Sequence, residues 1–182
     1  MEYFDLVDSN NQLLGVSKPR PHVHRDGDWH RAIDIWILNS KRELLLQKRS
    51  LEKESYPGLW EVSCSGRISA GDESLPSALR ELEEELGINA APEDLQLIFQ
   101  VKESCSTNNG TFINNEFKDV YLLKADLTPD QLHLQTEEVS AVKWITINEL
   151  QTQHNSTDFV PHPEGYAKLF AYLSASEASA NN

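Results

Sequence analysis

The chain has 182 residues, of which 39% are hydrophobic, so it is long enough and apolar enough for one domain with a sizeable core. Its formal net charge of −13 at pH 7 argues against the basic surface that binds nucleic acid, and no apolar run approaches the roughly 18 residues of a membrane span. Because the N-terminal residues also lack the basic start of a signal peptide, we expect a cytoplasmic protein that binds neither nucleic acid nor a membrane.

Short strand-like segments separated by turns make up the first third of the chain. Runs of aliphatic and aromatic residues predict strands at residues 3–7, 13–16, 32–38, 43–49 and 61–64. The turn-forming residues 9–11 and 39–41 join the first four of these strands in two pairs. The sequence therefore predicts two consecutive hairpins before the first helix.

An amphipathic helix that ends near residue 86 follows, and the rest of the chain alternates strands with helices. Strands are predicted at residues 95–103, 116–124 and 139–145, and helices after Thr146 and over residues 164–173. Residues 108–115 are predicted as a mobile loop and the small, polar residues 175–182 as a disordered tail. With no internal repeat and no linker, the sequence predicts one α+β domain with a mixed sheet over residues 1–174.

The amphipathic helix carries a set of acidic residues at its C-terminal end. Its core-facing residues recur every three or four positions, at Leu75, Ala78, Leu79, Leu82 and Leu86. At about 100° per residue, Glu81, Glu84 and Glu85 lie in one arc beside that face, whereas Glu83 points to the other side. Carboxylates crowded at this end repel one another and oppose the helix dipole unless a cation offsets them. The pattern predicts a site for Mg²⁺, which binds through a few carboxylates together with substrate phosphates.

The residues around this helix resemble the signature of the Nudix hydrolases, Gly-x5-Glu-x7-Arg-Glu-U-x-Glu-Glu-x-Gly-U, in which U is an aliphatic residue. The residues that match at the family spacing are Gly66, Arg80, Glu81, Leu82, Glu84, Glu85, Gly87 and Ile88. The first glutamate of the signature is replaced by Asp72, which is one methylene shorter. The resemblance implies a Nudix-like α/β/α sandwich with a mixed β-sheet, in which Asp72 and Arg80 form a structural brace.

The same resemblance implies a metal-dependent reaction on a diphosphate. The metal, Mg²⁺ or Mn²⁺, would be held by the carboxylates of Glu81, Glu84 and Glu85 and, as an extra ligand, by the carbonyl of Gly66. Metal ions neutralise the diphosphate and lower the pKa of the attacking water. Glu81 or Glu84 is expected to act as the base, with Glu116 assisting as a ligand or base.

Two arginines are candidates for binding the phosphates. Arg49 and Arg67 can each hold two phosphate oxygens at once, because a guanidinium presents its donors as a planar fork. The alternative is that both are exposed charges that only increase solubility. The sequence does not identify the substrate, which is expected to be a small nucleotide-type or other diphosphate, and it leaves open whether the protein is a homodimer.

A broader resemblance, over residues 3 to about 150, is to the Nudix branch that includes the isopentenyl-diphosphate isomerases. Those enzymes use a cysteine just before the first glycine of the signature, a histidine just after that glycine, and two glutamates on a later strand. This chain has Ser65, Arg67, Asn114 and Glu116 at these four positions. Allylic isomerisation needs a proton donor and a proton acceptor on opposite faces of the alkene, and a serine hydroxyl performs neither role well. The resemblance therefore favours a hydrolase, with an isomerase as the alternative and a non-catalytic binding module as a second alternative.

The two upstream histidines of the isomerases are present as His24 and His30. In the isomerases they are metal ligands, but here the third histidine and one glutamate of that ligand set are missing. We interpret His24 and His30 as structural, hydrogen-bonded residues, and metal binding is the alternative.

Overall fold

A mixed seven-stranded sheet lies at the centre of the computed structural model, which describes residues 1–180. The elements in chain order are β1 (Tyr3–Val7), β2 (Leu13–Pro19), α1 (Arg20–Asp26), β3 (Trp29–Leu38), β4 (Glu43–Arg49), β5 (Trp60–Glu61), β6 (Cys64–Arg67), α2 (Ser74–Leu86), β7 (Leu95–Thr107), β8 (Phe112–Lys124), β9 (Val139–Thr146), α3 (Ile147–Gln153) and α4 (Pro163–Ala180). The main path of the sheet is β5-β4-β3-β8-β7, with β6 paired to β3 and β9 paired to β4. β3 and β8 run parallel, and the other pairs of this sheet are antiparallel.

Helices cover both faces of this sheet. β3 is buried from Ala32 to Leu38 because its alternate side chains enter two different cores. Ile33, Ile35 and Ile37 pack with the apolar residues of α2 on one side. Trp36 and Leu38 pack with residues of α3 and α4 on the other. The predicted fold class, an α+β protein with an α/β/α sandwich and a mixed sheet, is confirmed.

Several elements differ from the prediction for physical reasons. Helix α1 was not predicted, because its seven residues include a proline and carry only one apolar residue in the core, Val23. The segment predicted as one strand at 61–64 is divided between two strands, β5 and β6, and β6 extends past Gly66 to Arg67. Residues 108–115 are not a separate loop, since β7 and β8 extend to Thr107 and from Phe112.

The C-terminal helix is longer than predicted. Helix α4 continues to Ala180, so most of the predicted polar tail is helical, and residues 181 and 182 lie outside the described part of the chain. Among the helices of residues 1–180, none combines the length and the apolar character needed to cross a lipid bilayer.

Candidate active site

Strand β6 brings Gly66 directly beneath helix α2. A Cβ atom at position 66 would lie 2.2 Å from Cγ of Glu81, so only glycine leaves room for this side chain. Glu81 and Glu84 share Nη1 of Arg80, at 3.0 and 3.1 Å. Glu85 is buried, and its Oε2 atom has no hydrogen-bond partner. These residues line one polar cavity of about 180 Å³.

Burial disfavours the charged form of two carboxylates in this cavity. Burial raises the pKa of Glu85 to about 8, and burial also raises the pKa of Glu81 although Arg80 opposes the shift. Carboxylate and carbonyl oxygens are the donors that a hard cation prefers, so the residue types and the unpartnered Glu85 Oε2 fit Mg²⁺. The three carboxylates are not gathered around one point, however: within residues 1–180 no three His, Cys, Asp or Glu side chains are arranged to hold a metal ion.

The predicted brace between Asp72 and Arg80 is not formed. Asp72 is exposed in the turn before α2, where its backbone N–H donates to the carbonyl of Ser69. Arg80 instead pairs with the two glutamates of its own helix and donates to the backbone carbonyl of Arg67 at 3.4 Å. Arg80 therefore pairs with carboxylates of its own helix and not with Asp72.

Two further cavities adjoin the carboxylate cavity. A wide one of about 520 Å³ is lined by five basic side chains, Arg20, Arg25, Arg49, Lys53 and Arg67, and by four glutamates, Glu52, Glu54, Glu137 and Glu138. A smaller one of about 60 Å³ reaches under it towards the sheet. Lys53 and Arg67 line all three cavities, so these two cations stand where the carboxylates of α2 meet the basic surface.

The floor of the small cavity begins with a buried ion network at Arg49. Arg49 Nη1 contacts Glu61 Oε1 at 2.7 Å, and Glu61 Oε2 lies 4.0 Å from His162 Nε2, too far for a hydrogen bond. His162 Nδ1 contacts Glu103 Oε2 at 2.9 Å. Burial acts to raise the pKa values of both glutamates, but Arg49 lowers that of Glu61, and Lys118 that of Glu103, to about 2.

The network continues through Lys118 to Arg67. Lys118 Nζ lies 3.3 Å from Asp34 Oδ2, 3.3 Å from Glu103 Oε2 and 3.6 Å from Glu116 Oε2. The other oxygen of Glu116, Oε1, lies 3.7 Å from Arg67 Nε. Although burial opposes it, these cations hold the pKa of Glu116 well below its usual range, which makes this carboxylate a weak proton acceptor. The two predicted phosphate-binding arginines thus stand at opposite ends of one network.

Two histidines lie beside the Arg67 end of the network. His24 stacks on Phe112 with ring centroids 4.2 Å apart, and His30 stacks on Phe4 at 5.0 Å. Burial first, and then the charge of Arg67, lowers the pKa of His24 to about 3, so this ring is neutral at pH 7. Both rings pack as flat, apolar bodies between phenylalanines.

Sequence reasoning missed most of the residues of the ion network. Glu61, Glu103 and Lys118 are charged residues inside apolar strands, which is a signal that such side chains are buried and paired. Lys53 lies in a loop and His162 just before α4, and neither position carries a sequence pattern that points to the site. They join it only through the tertiary fold.

The buried His162 should make the free energy of unfolding fall as the pH rises. Despite burial and the repulsion of Lys118, its hydrogen bond to Glu103 helps to raise its pKa from 6.5 to about 9. The stabilisation is therefore complete below pH 6.5 and is lost as the pH rises through about 9. One pKa unit corresponds to about 1.4 kcal/mol, so the loss should reach up to about 3 kcal/mol. Denaturant titrations across this pH range measure it, and an equal slope in His162→Gln would contradict the assignment.

Comparison with known proteins gives consistent matches along the chain. Residues 28–167 match the family model described as NUDIX domain. Nudix hydrolase 3 of Arabidopsis thaliana is 49% identical over 177 residues, which cover 93% of this chain. The match covers 23% of that protein, so this chain spans less than a quarter of its length.

An isomerase and a solved structure are also similar. An isopentenyl-diphosphate Delta-isomerase of Pectobacterium atrosepticum is 35% identical over 145 residues, covering 80% of this chain and 76% of the isomerase. The crystal structure of DR0079 from Deinococcus radiodurans has a TM-score of 0.70 at 22% sequence identity. That match covers 94% of this chain and 99% of the other.

Proposed function

This chain belongs to the Nudix hydrolase family, and on that premise we propose that it is a Mg²⁺- or Mn²⁺-dependent hydrolase of a small diphosphate substrate. The observation that carries the proposal is the junction at Lys53 and Arg67, where the carboxylates of α2 meet a basic cavity. A diphosphate needs both surfaces, because the metal and the cationic side chains must neutralise it together.

The metal would be held by Glu81, Glu84, Glu85 and the carbonyl of Gly66. When bound, it supplies positive charge to the diphosphate oxygens and lowers the pKa of the attacking water. Gly66 lets Glu81 approach the backbone of β6, which places a carboxylate beside that carbonyl. Arg80 holds Glu81 and Glu84 close to each other before metal binds.

The phosphates would be bound by the basic side chains of the wide cavity. Arg49 is fixed by Glu61, and Arg67 faces Glu116, so both guanidinium groups are oriented by buried carboxylates. Arg20 and Lys53 add positive charge on the side that faces α2. These cations allow a chain with a net charge of −13 to bind an anion here, although four glutamates also line the wide cavity.

The base would be a glutamate of α2, either Glu81 or Glu84. Glu116 is less suited to that role because Lys118 and Arg67 each contact one of its oxygens. Its proposed role is to orient Arg67 for phosphate binding. This modifies the expectation that Glu116 assists as a ligand or base.

The direct test is a screen of small diphosphates, both nucleotide-type and others, in the presence of Mg²⁺ or Mn²⁺. We expect metal-dependent release of phosphate or of a monophosphate product from at least one class of substrate. If no diphosphate is cleaved and none binds in calorimetry with metal present, the hydrolase proposal fails and a non-catalytic role replaces it.

The protein should not convert isopentenyl diphosphate to dimethylallyl diphosphate. Ser65 Oγ donates to Asp34 Oδ1 at 2.8 Å, and Asp34 in turn contacts Lys118, so the hydroxyl is held by a buried ion pair. A serine in this setting is a poor proton donor to an alkene. Product analysis with metal present should show no isomer above a metal-free control, although slow hydrolysis is compatible with the proposal. Isomer formed at a metal-dependent rate would instead favour the isomerase.

A further inference from the structure

A second group of side chains of the types that bind metal ions lies outside helix α2. His24 and His30 point their Nδ1 atoms at the backbone carbonyls of Ile113 and Asp28, both at 3.3 Å. If Nδ1 carries the proton, His24 Nε2 is left as an acceptor, whereas His30 Nε2 faces the carboxylate oxygen Oε1 of Glu116 at 3.4 Å. Both Nε2 atoms are buried and have no hydrogen-bond partner.

Two oxygen acceptors belong to the same region of the site. Asn114 Oδ1 is buried without a partner, and Glu116 Oε1 lies 3.4 Å from His30 Nε2. Asn114 and Glu116 lie two residues apart on β8, and the parallel pairing of β3 with β8 sets His30 opposite Glu116. The buried carboxylate of Glu116 and the unpartnered Oδ1 of Asn114 need a cation or hydrogen-bond donors to be stable there.

Arg67 already supplies that cation. Its Nε atom lies 3.7 Å from Glu116 Oε1 and is itself buried without a hydrogen-bond partner. A guanidinium carries five N–H donors and stays charged at any physiological pH. Lys118 Nζ lies 3.6 Å from the other oxygen of Glu116, so the carboxylate is contacted by two fixed cations. A divalent metal placed here would be repelled by both at short range.

We propose that Arg67 is the permanent cation beside the side-chain cluster of His24, His30, Asn114 and Glu116, and that it takes the place of a divalent metal. The types of side chain present would fit a metal ion. The guanidinium of Arg67 and the ammonium of Lys118 already occupy the space beside Glu116, so a metal ion cannot bind there. The same arginine lines the wide basic cavity, so this part of the phosphate-binding surface works without metal. The inference concerns metal binding in the absence of substrate and does not depend on the hydrolase activity.

The first test uses the unaltered protein loaded with Co²⁺ or Zn²⁺ and examined by X-ray absorption spectroscopy. We expect oxygen ligands only, from the carboxylates of α2 and water. Imidazole nitrogen in the coordination shell that is lost in a His24→Gln or His30→Gln variant would show that the replaced histidine binds metal and would overturn the proposal. Because the measurement involves no turnover, its outcome is separate from that of the substrate screen.

The second test removes the cation and adds a ligand with Arg67→His. We expect this variant to retain one additional Zn²⁺ per chain after gel filtration, with a nitrogen contribution in the absorption spectrum. Arg67→Lys keeps a positive charge and should gain no metal. Arg25→His is a matched control, since Arg25 lines the same wide cavity with an exposed side chain away from Glu116.

The Zn²⁺ content of Arg67→His and of Arg25→His can each contradict the proposal. A folded Arg67→His protein that gains no Zn²⁺ would overturn the assignment of the pocket to Arg67. A gain of the same size in Arg25→His would also overturn it, because any new surface histidine would then explain the result. If Arg67→His does not fold, as judged by circular dichroism, the absorption spectrum of the unaltered protein still decides the question.

Discussion

Replacement of Glu84 or Glu85 by glutamine should lower kcat on the order of 10²-fold or more, whereas replacement of Glu83 should leave it nearly unchanged. An amide keeps the size of the side chain but removes the charge that holds a divalent cation. Glu84 and Glu85 line the carboxylate cavity, and Glu83 is exposed elsewhere on the helix. Glu81→Gln should cost as much as Glu84→Gln, or more if Glu81 is also the base.

The measurement is kcat at saturating Mg²⁺ on the substrate that the screen identifies, with all four variants in one assay. Glu83→Gln is the matched control because it makes the same chemical change one residue away. Its backbone carbonyl still accepts the N–H of Gly87 at the end of the helix, so the cap is unaffected. Equal losses in Glu83→Gln and Glu84→Gln would mean that the carboxylates of α2 do not act as a metal site.

Local sequence patterns determined those parts of the fold that depend on neighbouring residues. Strand β4 was predicted with its observed bounds, Glu43–Arg49, because its aliphatic run is buried and bounded by turns. The C-cap of α2 at Gly87 was implied by the glycine of the signature, and the structure places it at a φ of 70°. The direction of the four glutamates likewise follows from the helical repeat alone.

Much of the rest of the fold and of the candidate site depends on pairing between distant segments, which a single sequence does not encode in any local pattern. The parallel pairing of β3 with β8 joins residues 86 positions apart and sets His30 opposite Glu116. The predicted brace of Arg80 with Asp72 failed for a local reason. Family spacing gave the two residues, but the exposed turn before α2 does not carry the shorter carboxylate to the arginine.

Replacement of Gly66 by alanine should lower kcat on the order of 10²-fold while leaving thermal stability nearly unchanged. A Cβ atom there would lie 2.2 Å from Cγ and 2.3 Å from Cδ of Glu81, so the glutamate must leave its position over β6. Gly66 does not have a positive φ, so alanine itself is not strained there. The side chain of Glu81 is only partly buried and can rotate away. We therefore expect the substitution to lower activity but to change the stability of the fold little.

Gly165→Ala is the matched control, since it adds the same methyl group within helix α4. The nearest atoms to a Cβ atom at that position lie at 3.5 and 3.6 Å, which is ordinary contact, so activity should be unchanged. Thermal unfolding and kcat measured on both variants separate the two effects. Full activity of Gly66→Ala would mean that Glu81 need not lie over Gly66 and would remove both groups from the proposed metal site. A large loss of stability would mean that Glu81 cannot rotate away, so that the strand must move instead, and the fall in activity would then report on the fold rather than on the metal site.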